Sequence, residues 1–254
     1  MITRLRNYFR TAVADLRYQG LEVFLWRIVV KVCSPIAKLD LQILFEIDLK
    51  QPIEQRQARL ECVIEAAGET DLDEILDLQV QLPPPESLGE MTDSQELQYA
   101  QTARVRDRGK RSFEQALRAG ERCFVARIGG RIAHSNWIRF HGCGPVEGRP
   151  VDLMPGEVYT TDAFTGDAWR GKGLHEAVLT HMLRFAQQRG CHRAYTITDL
   201  FKAGSRRGVR RVGWQQRGLI LYLTPRGLGR TWLLRISGNL EPMFRYARSL
   251  AAST

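Results

Sequence analysis

A strand, a glycine-rich turn and a helix follow one another between residues 157 and 189, and this unit limits the possible folds most. Residues 157–164 have the apolar and β-branched composition of a strand, and residues 173–189 carry apolar side chains at helical spacing. Residues 193–198 predict the next strand. Because a strand–helix–strand connection favours parallel neighbours, the unit predicts an α/β fold.

A second pattern predicts an antiparallel hairpin. Two short strand-like segments, 122–127 and 131–140, flank the sequence Ile-Gly-Gly at residues 128–130. Adjacent glycines supply the positive φ angles that tight hairpin turns need. A hairpin within a strand–helix–strand order predicts an α/β sheet of mixed direction.

The remaining segments predict three regions. An apolar run over 21–33 predicts a helix that Ser34-Pro35 ends, and a second helix is predicted to about residue 49. Further elements are predicted as a strand over 59–66, a helix that Thr70-Asp71-Leu72-Asp73 opens and that runs to residue 80, helices over 93–109 and 112–119, and a last strand over 218–223. The regions are a helical extension over 1–57, an α/β domain over 58–224 and a basic amphipathic tail over 225–254.

Formal charge divides the chain into three blocks. Residues 1–38 carry +5, residues 39–169 carry −9, and residues 170–254 carry +13 from 16 Lys or Arg against three acids. Such asymmetry indicates an anionic partner for the two ends: nucleotide phosphates, nucleic acid or a membrane surface. Since no helix-turn-helix, RNP-like or zinc signature accompanies the charge, we predict no nucleic-acid partner.

The cysteines and histidines indicate the compartment and the absence of a metal. The five cysteines are odd in number and contain no C-x-x-C pair, which favours reduced thiols in a cytoplasmic protein. No H-x-E or H-E-x-x-H spacing occurs, so we predict no metal. The apolar run over 21–33 is too short to span a bilayer. We expect it to pack against the protein's own core, a partner chain in a homodimer, or a membrane interface.

The turn between strand and helix reads Arg170-Gly171-Lys172-Gly173. A helix N-terminus presents unpaired N–H groups and partial positive charge, and glycines let the backbone approach a ligand closely. The pattern predicts a phosphate-binding turn, with an ordinary tight strand-to-helix turn as the alternative. Walker A and G-x-G-x-x-G spacings are absent, which disfavours ATP and NAD.

This stretch resembles the acetyl-CoA signature of the GNAT superfamily of N-acyltransferases, Q/R-x-x-G-x-G/A. Ala168 stands at the first position and Gly171 and Gly173 at the two glycines. The resemblance covers residues 58–224 and implies a mixed, mostly antiparallel twisted sheet with helices on both faces. It also implies acetyl-CoA, or another acyl-CoA, as co-substrate, with direct acyl transfer to a small-molecule amine.

The resemblance further implies which residues hold the cofactor. In this family the strand before the turn pairs with the pantetheine arm, and the amides of the turn hold the pyrophosphate. The implied cofactor-binding residues of this chain are Ala163, Phe164, Thr165, Ala168, Arg170, Gly171, Lys172, Gly173, Leu174 and His175.

Two carboxylates of the predicted strand are candidate general bases for amine acetylation. Glu157, 13 residues before Arg170, stands where similar family members place a catalytic glutamate, and an exposed strand-end glutamate is the alternative. Asp162 is the second candidate. Strand alternation puts Asp162 on the opposite face from Glu157 unless a bulge intervenes.

The general acid is not assigned, because Val209 stands where many relatives carry a tyrosine. Water, Tyr195, Tyr222 or a substrate group stays open as the proton donor to the departing thiolate. This gap and the basic apolar ends leave a second hypothesis: a non-catalytic acyl-CoA-binding or membrane-peripheral protein.

Overall fold

The computed structural model describes residues 20–80, 109–140, 145–146, 149–150, 153–228 and 232–238. These residues form two compact units. The first takes its described residues from Met1–Glu46 and Thr196–Phe244, and the second from Ile47–Tyr195. The two units meet at 46/47 and at 195/196, so their boundaries differ from the predicted ones at 57/58 and 224/225. Residues early and late in the chain share one unit.

The described part of the chain contains five helices and ten strands, joined by two short 3₁₀ turns at Glu69–Asp71 and Asp167–Trp169. In chain order they are α1 (Leu21–Cys33), β1 (Ala37–Asp48), β2 (Val63–Ala66), α2 (Leu72–Val80), α3 (109–118), β3 (Arg122–Ile128), β4 (Arg131–Arg139), β5 (Pro145–Val146), β6 (Arg149–Pro150), β7 (Glu157–Thr165), α4 (Leu174–Gln188), β8 (Arg193–Asp199), α5 (Ala203–Arg211), β9 (Gln215–Pro225) and β10 (Trp232–Gly238).

The first unit has the strand order β10-β9-β1-β8, to which β8 contributes residues 196–199, and β9 runs antiparallel to both of its neighbours. The predicted second N-terminal helix is therefore wrong, since residues 37–48 form β1. The central residues 41–45 of β1 are all buried. A short apolar run buried on both faces shows no period that would distinguish a strand from a helix. No strand was predicted at β10, which lies within the predicted tail.

The second unit has the strand order β7-β4-β3-β2, and its three ladders are antiparallel. The predicted hairpin is confirmed as β3 and β4, with Gly129 and Gly130 at φ 56 and 81. The strand predicted over 59–66 is shorter than expected, at Val63–Ala66. The helix predicted over 93–109 lies outside the described residues except for its last position.

Helices cover both faces of this second sheet. Phe124 of β3 contacts Phe185 of α4 at a centroid distance of 5.0 Å. Its neighbours Cys123 and Val125 pack instead with Ile75 of α2. Because successive strand residues face opposite sides, α2 and α4 lie on opposite faces. The mixed, mostly antiparallel α/β fold is therefore as predicted.

Candidate active site

The turn that joins β7 to α4 leaves the N-terminus of the helix open. Gly171 and Gly173 have φ angles of 74° and 77°, the left-handed region that a β-carbon disfavours. Gly173 is the N-cap of α4, and no side chain of the described residues caps the helix there. Arg170 and Lys172 are exposed on the same turn. The first N–H groups of α4 can therefore donate hydrogen bonds to an anion, and the two cations lie on the same turn.

A backbone segment from far along the chain supports the turn. The Arg59 N–H donates to the Lys172 carbonyl at 2.8 Å, and the backbone at Gln57 and Ala58 lies next to Gly173. This contact places the exposed Arg59 beside the turn. The sequence gives no signal for this neighbour, because Arg59 belongs to a different predicted element.

A β-bulge interrupts β7 just before the turn. The β4–β7 ladder is regular at Ser135 and at Trp137, so Asp162 and Ala163 both stand opposite Asn136. Asp162 has a φ of 52°, as bulge residues often do. A bulge leaves one backbone group outside the ladder, and both bulged residues are exposed. Backbone of β7 is therefore available to a ligand that lies along it.

The bulge also changes the face on which Asp162 lies. Its carboxylate is 4.0 Å from the guanidinium of Arg139, which pairs across the ladder with Tyr159. Tyr159 is two residues from Glu157, and residues two apart in a strand share a face. Asp162 and Glu157 therefore face the same side, because the bulge interrupts the alternation that would otherwise put them on opposite faces.

Glu157 is a buried carboxylate held by named donors, with only 3% of its surface exposed. Its Oε2 accepts the Met154 N–H at 3.0 Å, and its Oε1 accepts the Tyr195 hydroxyl at 3.0 Å. The Arg193 guanidinium lies 3.6 Å from the same Oε1. Burial raises the pKa of Tyr195 to about 12, so its hydroxyl is a donor at neutral pH. The alternative of an exposed strand-end glutamate is therefore wrong.

A second acidic pair lies on the face that carries Glu157. The Arg139 Nε is 3.0 Å from Glu121 Oε2, so Arg139 is shared between Glu121 and Asp162. Burial raises the pKa of both carboxyls, and Arg139 opposes the rise. Three acids, Glu121, Glu157 and Asp162, against Arg139 and Arg193 leave this face net negative. The sequence does not reveal the pair, because 41 residues separate Glu121 from Asp162.

Two histidine rings pack together at the first turn of α4, to which one of them belongs. The His134 and His175 rings are 5.5 Å apart, and His134 Nδ1 lies 2.7 Å from Thr165 Oγ1. The Nε2 atoms of both rings are buried without a hydrogen-bond partner in the described part of the chain. Burial lowers both pKa values, that of His134 well below 6.5, and His175 lowers it further. The side chain of His175 is half-buried, with its Nε2 atom inside the protein.

This histidine pair makes stability sensitive to acid. Above pH 6.5 the His134 ring is neutral in both the folded and the unfolded chain. As the pH falls below 6.5 the unfolded chain takes up a proton on this ring, whereas the folded chain does not, because its pKa for His134 lies well below 6.5. We expect urea titrations to show the free energy of unfolding falling with pH below 6.5, by up to about 1.4 kcal/mol per pH unit from His134. His134→Gln should remove this component and His192→Gln should leave it. An unchanged slope in His134→Gln would contradict the assignment.

The remaining predicted cofactor-binding residues occupy different environments. The side chain of Leu174 is 1% exposed, so only its backbone faces the open helix end. Phe164 and Thr165 are half-buried at the end of β7, and Ala168 is exposed in the 3₁₀ turn. The structure thus brings the turn, the bulge and both candidate bases onto one strand and its following helix. No cluster of three metal-binding side chains occurs among the described residues.

Comparisons with known proteins bear on the family and the fold. A model of the acetyltransferase (GNAT) family matches residues 84–214. A conserved protein of unknown function from Staphylococcus epidermidis is similar over 78% of this chain and 66% of its own, with 9% identity and a TM-score of 0.51. This chain therefore spans about two thirds of that structure, and at such identity the similarity shows the fold alone.

Two further solved structures are similar at lower TM-scores. A GNAT-family acetyltransferase from Colwellia psychrerythraea matches 77% of this chain and 60% of its own, with 12% identity and a TM-score of 0.48. A predicted acetyltransferase from Clostridium acetobutylicum, solved with acetyl-CoA, matches 61% and 90%, with 17% identity and a TM-score of 0.42. No curated protein matches the chain.

Proposed function

Because the chain belongs to the acetyltransferase (GNAT) family, we propose that it is an N-acyltransferase that uses acetyl-CoA, or another acyl-CoA, and acylates a small-molecule amine. The observation that carries the proposal is the uncapped N-terminus of α4 directly after a bulged strand. The helix end supplies amide donors for a pyrophosphate. The bulge supplies exposed backbone for the arm that extends from it.

The cofactor would lie along the end of β7. Its pyrophosphate would rest on the first N–H groups of α4, between the charges of Arg170 and Lys172. Its pantetheine arm would run back over residues 163–165 towards the bulge. There the backbone N–H groups at Asp162 and Ala163 would polarise the thioester carbonyl, as donors do in an oxyanion hole.

The chemistry is a direct transfer between two substrates. The amine nitrogen attacks the thioester carbonyl carbon, the new C–N bond forms, the C–S bond breaks, and the CoA thiolate takes up a proton. We assign Glu157 as the base that accepts the amine proton, directly or through a water. Its hydrogen bonds from Met154 and Tyr195 stabilise the ionised form that a base needs. Asp162 is the second candidate, since the bulge puts it on the same face.

The acidic face fits an acceptor that is an amine. Glu121 and Asp162 lie on the face that carries Glu157, and the surrounding block of sequence is net negative. Such a face attracts a cationic amine, which then loses a proton before it attacks. The four described cysteines are free thiols, as suits the reducing cytoplasm where we place the protein.

Two glycines in the left-handed region provide a matched test of the turn. Gly171 and Gly190 lie just before and just after α4, with φ angles of 74° and 79°, and neither has an atom within 4 Å of an added β-carbon. Alanine should therefore strain both by a similar amount, on the order of 1 kcal/mol. We expect Gly171→Ala to weaken CoA and acetyl-CoA binding by about tenfold in isothermal titration, because the strain shifts the phosphate-binding amides.

Gly190→Ala is the control and should bind CoA as the parent protein does. Loss of affinity in both variants would indicate a general effect on α4 rather than on the turn. Failure of the parent protein to bind either CoA or acetyl-CoA at millimolar concentration would overturn the proposed function.

Val209 supports a second candidate function, a non-catalytic acyl-CoA-binding protein. It stands at the family's tyrosine position and is only 3% exposed in α5. Because its side chain is a hydrocarbon, it offers no proton to a thiolate. A thiol-release assay with acetyl-CoA and a panel of small amines separates the two functions. Binding without thiol release for every amine in the panel would favour the second.

A further inference from the structure

Helix α1 carries an apolar face that the described residues of its unit leave exposed. Leu21, Leu25, Ile28, Val29 and Val32 are between 37% and 71% exposed. At about 100° per residue these five side chains fall within an arc of about 100°, which is one continuous stripe along the helix. We call this set the α1 stripe.

The opposite side of α1 faces the protein. Val23 is 3% exposed, and Val30 on the same side is half-buried. Arg27 stacks over the Phe201 ring at 4.6 Å from its centroid, which fixes another part of the helix surface. The α1 stripe is therefore not the face by which the helix is anchored to its own unit.

Apolar exposure continues past the end of the helix. Ile36 is 71% exposed and Leu228 is 65% exposed. The backbone of Arg226 bonds to the Ile36 carbonyl at 2.9 Å, which places the 226–228 turn beside Ile36. Together with the α1 stripe these residues form an apolar surface of a kind that soluble monomers rarely expose without a function.

Cations border this surface. Lys31, Lys38 and Arg226 are exposed, and the Arg226 Nε donates to the Ser34 carbonyl at the end of α1. Glu22 is the one acid of α1, and it lies within electrostatic range of Arg206. Residues 20–38 carry three Lys or Arg against one acid, a formal charge of +2. The border is therefore positive.

We propose that the α1 stripe and its basic border dock the protein on an anionic membrane surface. An apolar helix face beside lysines and arginines buries its side chains at the boundary of headgroups and acyl chains, while the cations meet anionic headgroups. A second copy is a poorer partner, because a symmetric contact would bring the same basic border against itself. The contact is peripheral, since no described helix is long and apolar enough to cross a membrane.

Vesicle co-sedimentation of the full chain tests the proposal. We expect binding to phosphatidylcholine vesicles that contain phosphatidylserine, weaker binding to phosphatidylcholine alone, and a loss of binding as salt is raised from about 0.1 M. Leu25→Ser/Val32→Ser should lower the partition coefficient by at least about tenfold, since it removes apolar area from the contact. Lys31→Gln should lower it about fivefold, the effect of one charge near such a surface.

Matched controls come from the second unit. Val63 is 62% exposed and Lys50 is also exposed, so Val63→Ser and Lys50→Gln make the same changes elsewhere and should leave vesicle binding within about twofold. Acetyl-CoA binding should be unchanged in all four variants, which separates this proposal from the proposed function.

Three results would overturn the membrane proposal. One is equal or absent binding to the two kinds of vesicle. Another is a dimer in analytical ultracentrifugation that Leu25→Ser/Val32→Ser dissociates, because a second copy would then cover the stripe. The third is a large loss of thermal stability in Leu25→Ser/Val32→Ser, which would show that the chain itself covers the stripe.

Discussion

Glu157→Gln is expected to lower kcat for amine acetylation by about 10²- to 10⁴-fold, the usual contribution of a positioned base. Glutamine keeps the size of the side chain: its carbonyl oxygen can accept the Met154 N–H, and its amide N–H can donate to the Tyr195 hydroxyl oxygen. The fold and the helix end proposed to bind CoA should therefore persist. Steady-state rates and isothermal titration on the same preparation separate the loss of kcat from any change in acetyl-CoA affinity.

Asp162→Asn is the comparison that decides between the two carboxylates. Both lie on one face of β7, but Asp162 is half-exposed and shares Arg139 with Glu121. If Glu157 is the base, Asp162→Asn should lower kcat by less than about tenfold. The reverse order of effects would reassign the base to Asp162. Burial raises the pKa of Asp162, so in that case activity would fall as the pH drops through a midpoint above the ordinary value of 3.8.

The elements around the turn were predictable because their signals are local. Paired glycines predicted the hairpin turn, and regular apolar spacing predicted α4 to within a residue at each end. Glycine spacing located the tight turn before α4 for the same reason. Each of these features needs only neighbouring residues and no partner from elsewhere in the chain.

The parts that depend on pairing were not predictable. The bulge at Asp162 exists only in the register of β7 against β4, and it reverses the face that alternation assigns to this residue. The burial of Glu157 depends on Tyr195, 38 residues away. Residues 41–45 of β1 are all buried, so its sequence shows no strand period, and its ladder partner β9 comes from the far end of the chain.

Trp137→Ala is expected to lower the free energy of unfolding by about 3–5 kcal/mol, the usual cost of removing a large buried aromatic side chain. Trp137 is 1% exposed and stacks on Phe113 with ring centroids 4.6 Å apart. It also packs in the cluster that holds α2 against β3 and β4. Urea titration monitored by circular dichroism measures the loss.

Trp137 pairs across the ladder with Thr161, the residue immediately before the bulge, so the same substitution should also weaken acetyl-CoA binding. Trp214→Ala is the matched comparison: Trp214 is 3% exposed, but it belongs to the first unit. We expect a comparable loss of stability there, about 3–5 kcal/mol, with the acetyl-CoA affinity of the folded protein unchanged. If both tryptophan variants lost affinity equally, the loss would follow from general unfolding, and β4 would have no particular part in shaping the bulge.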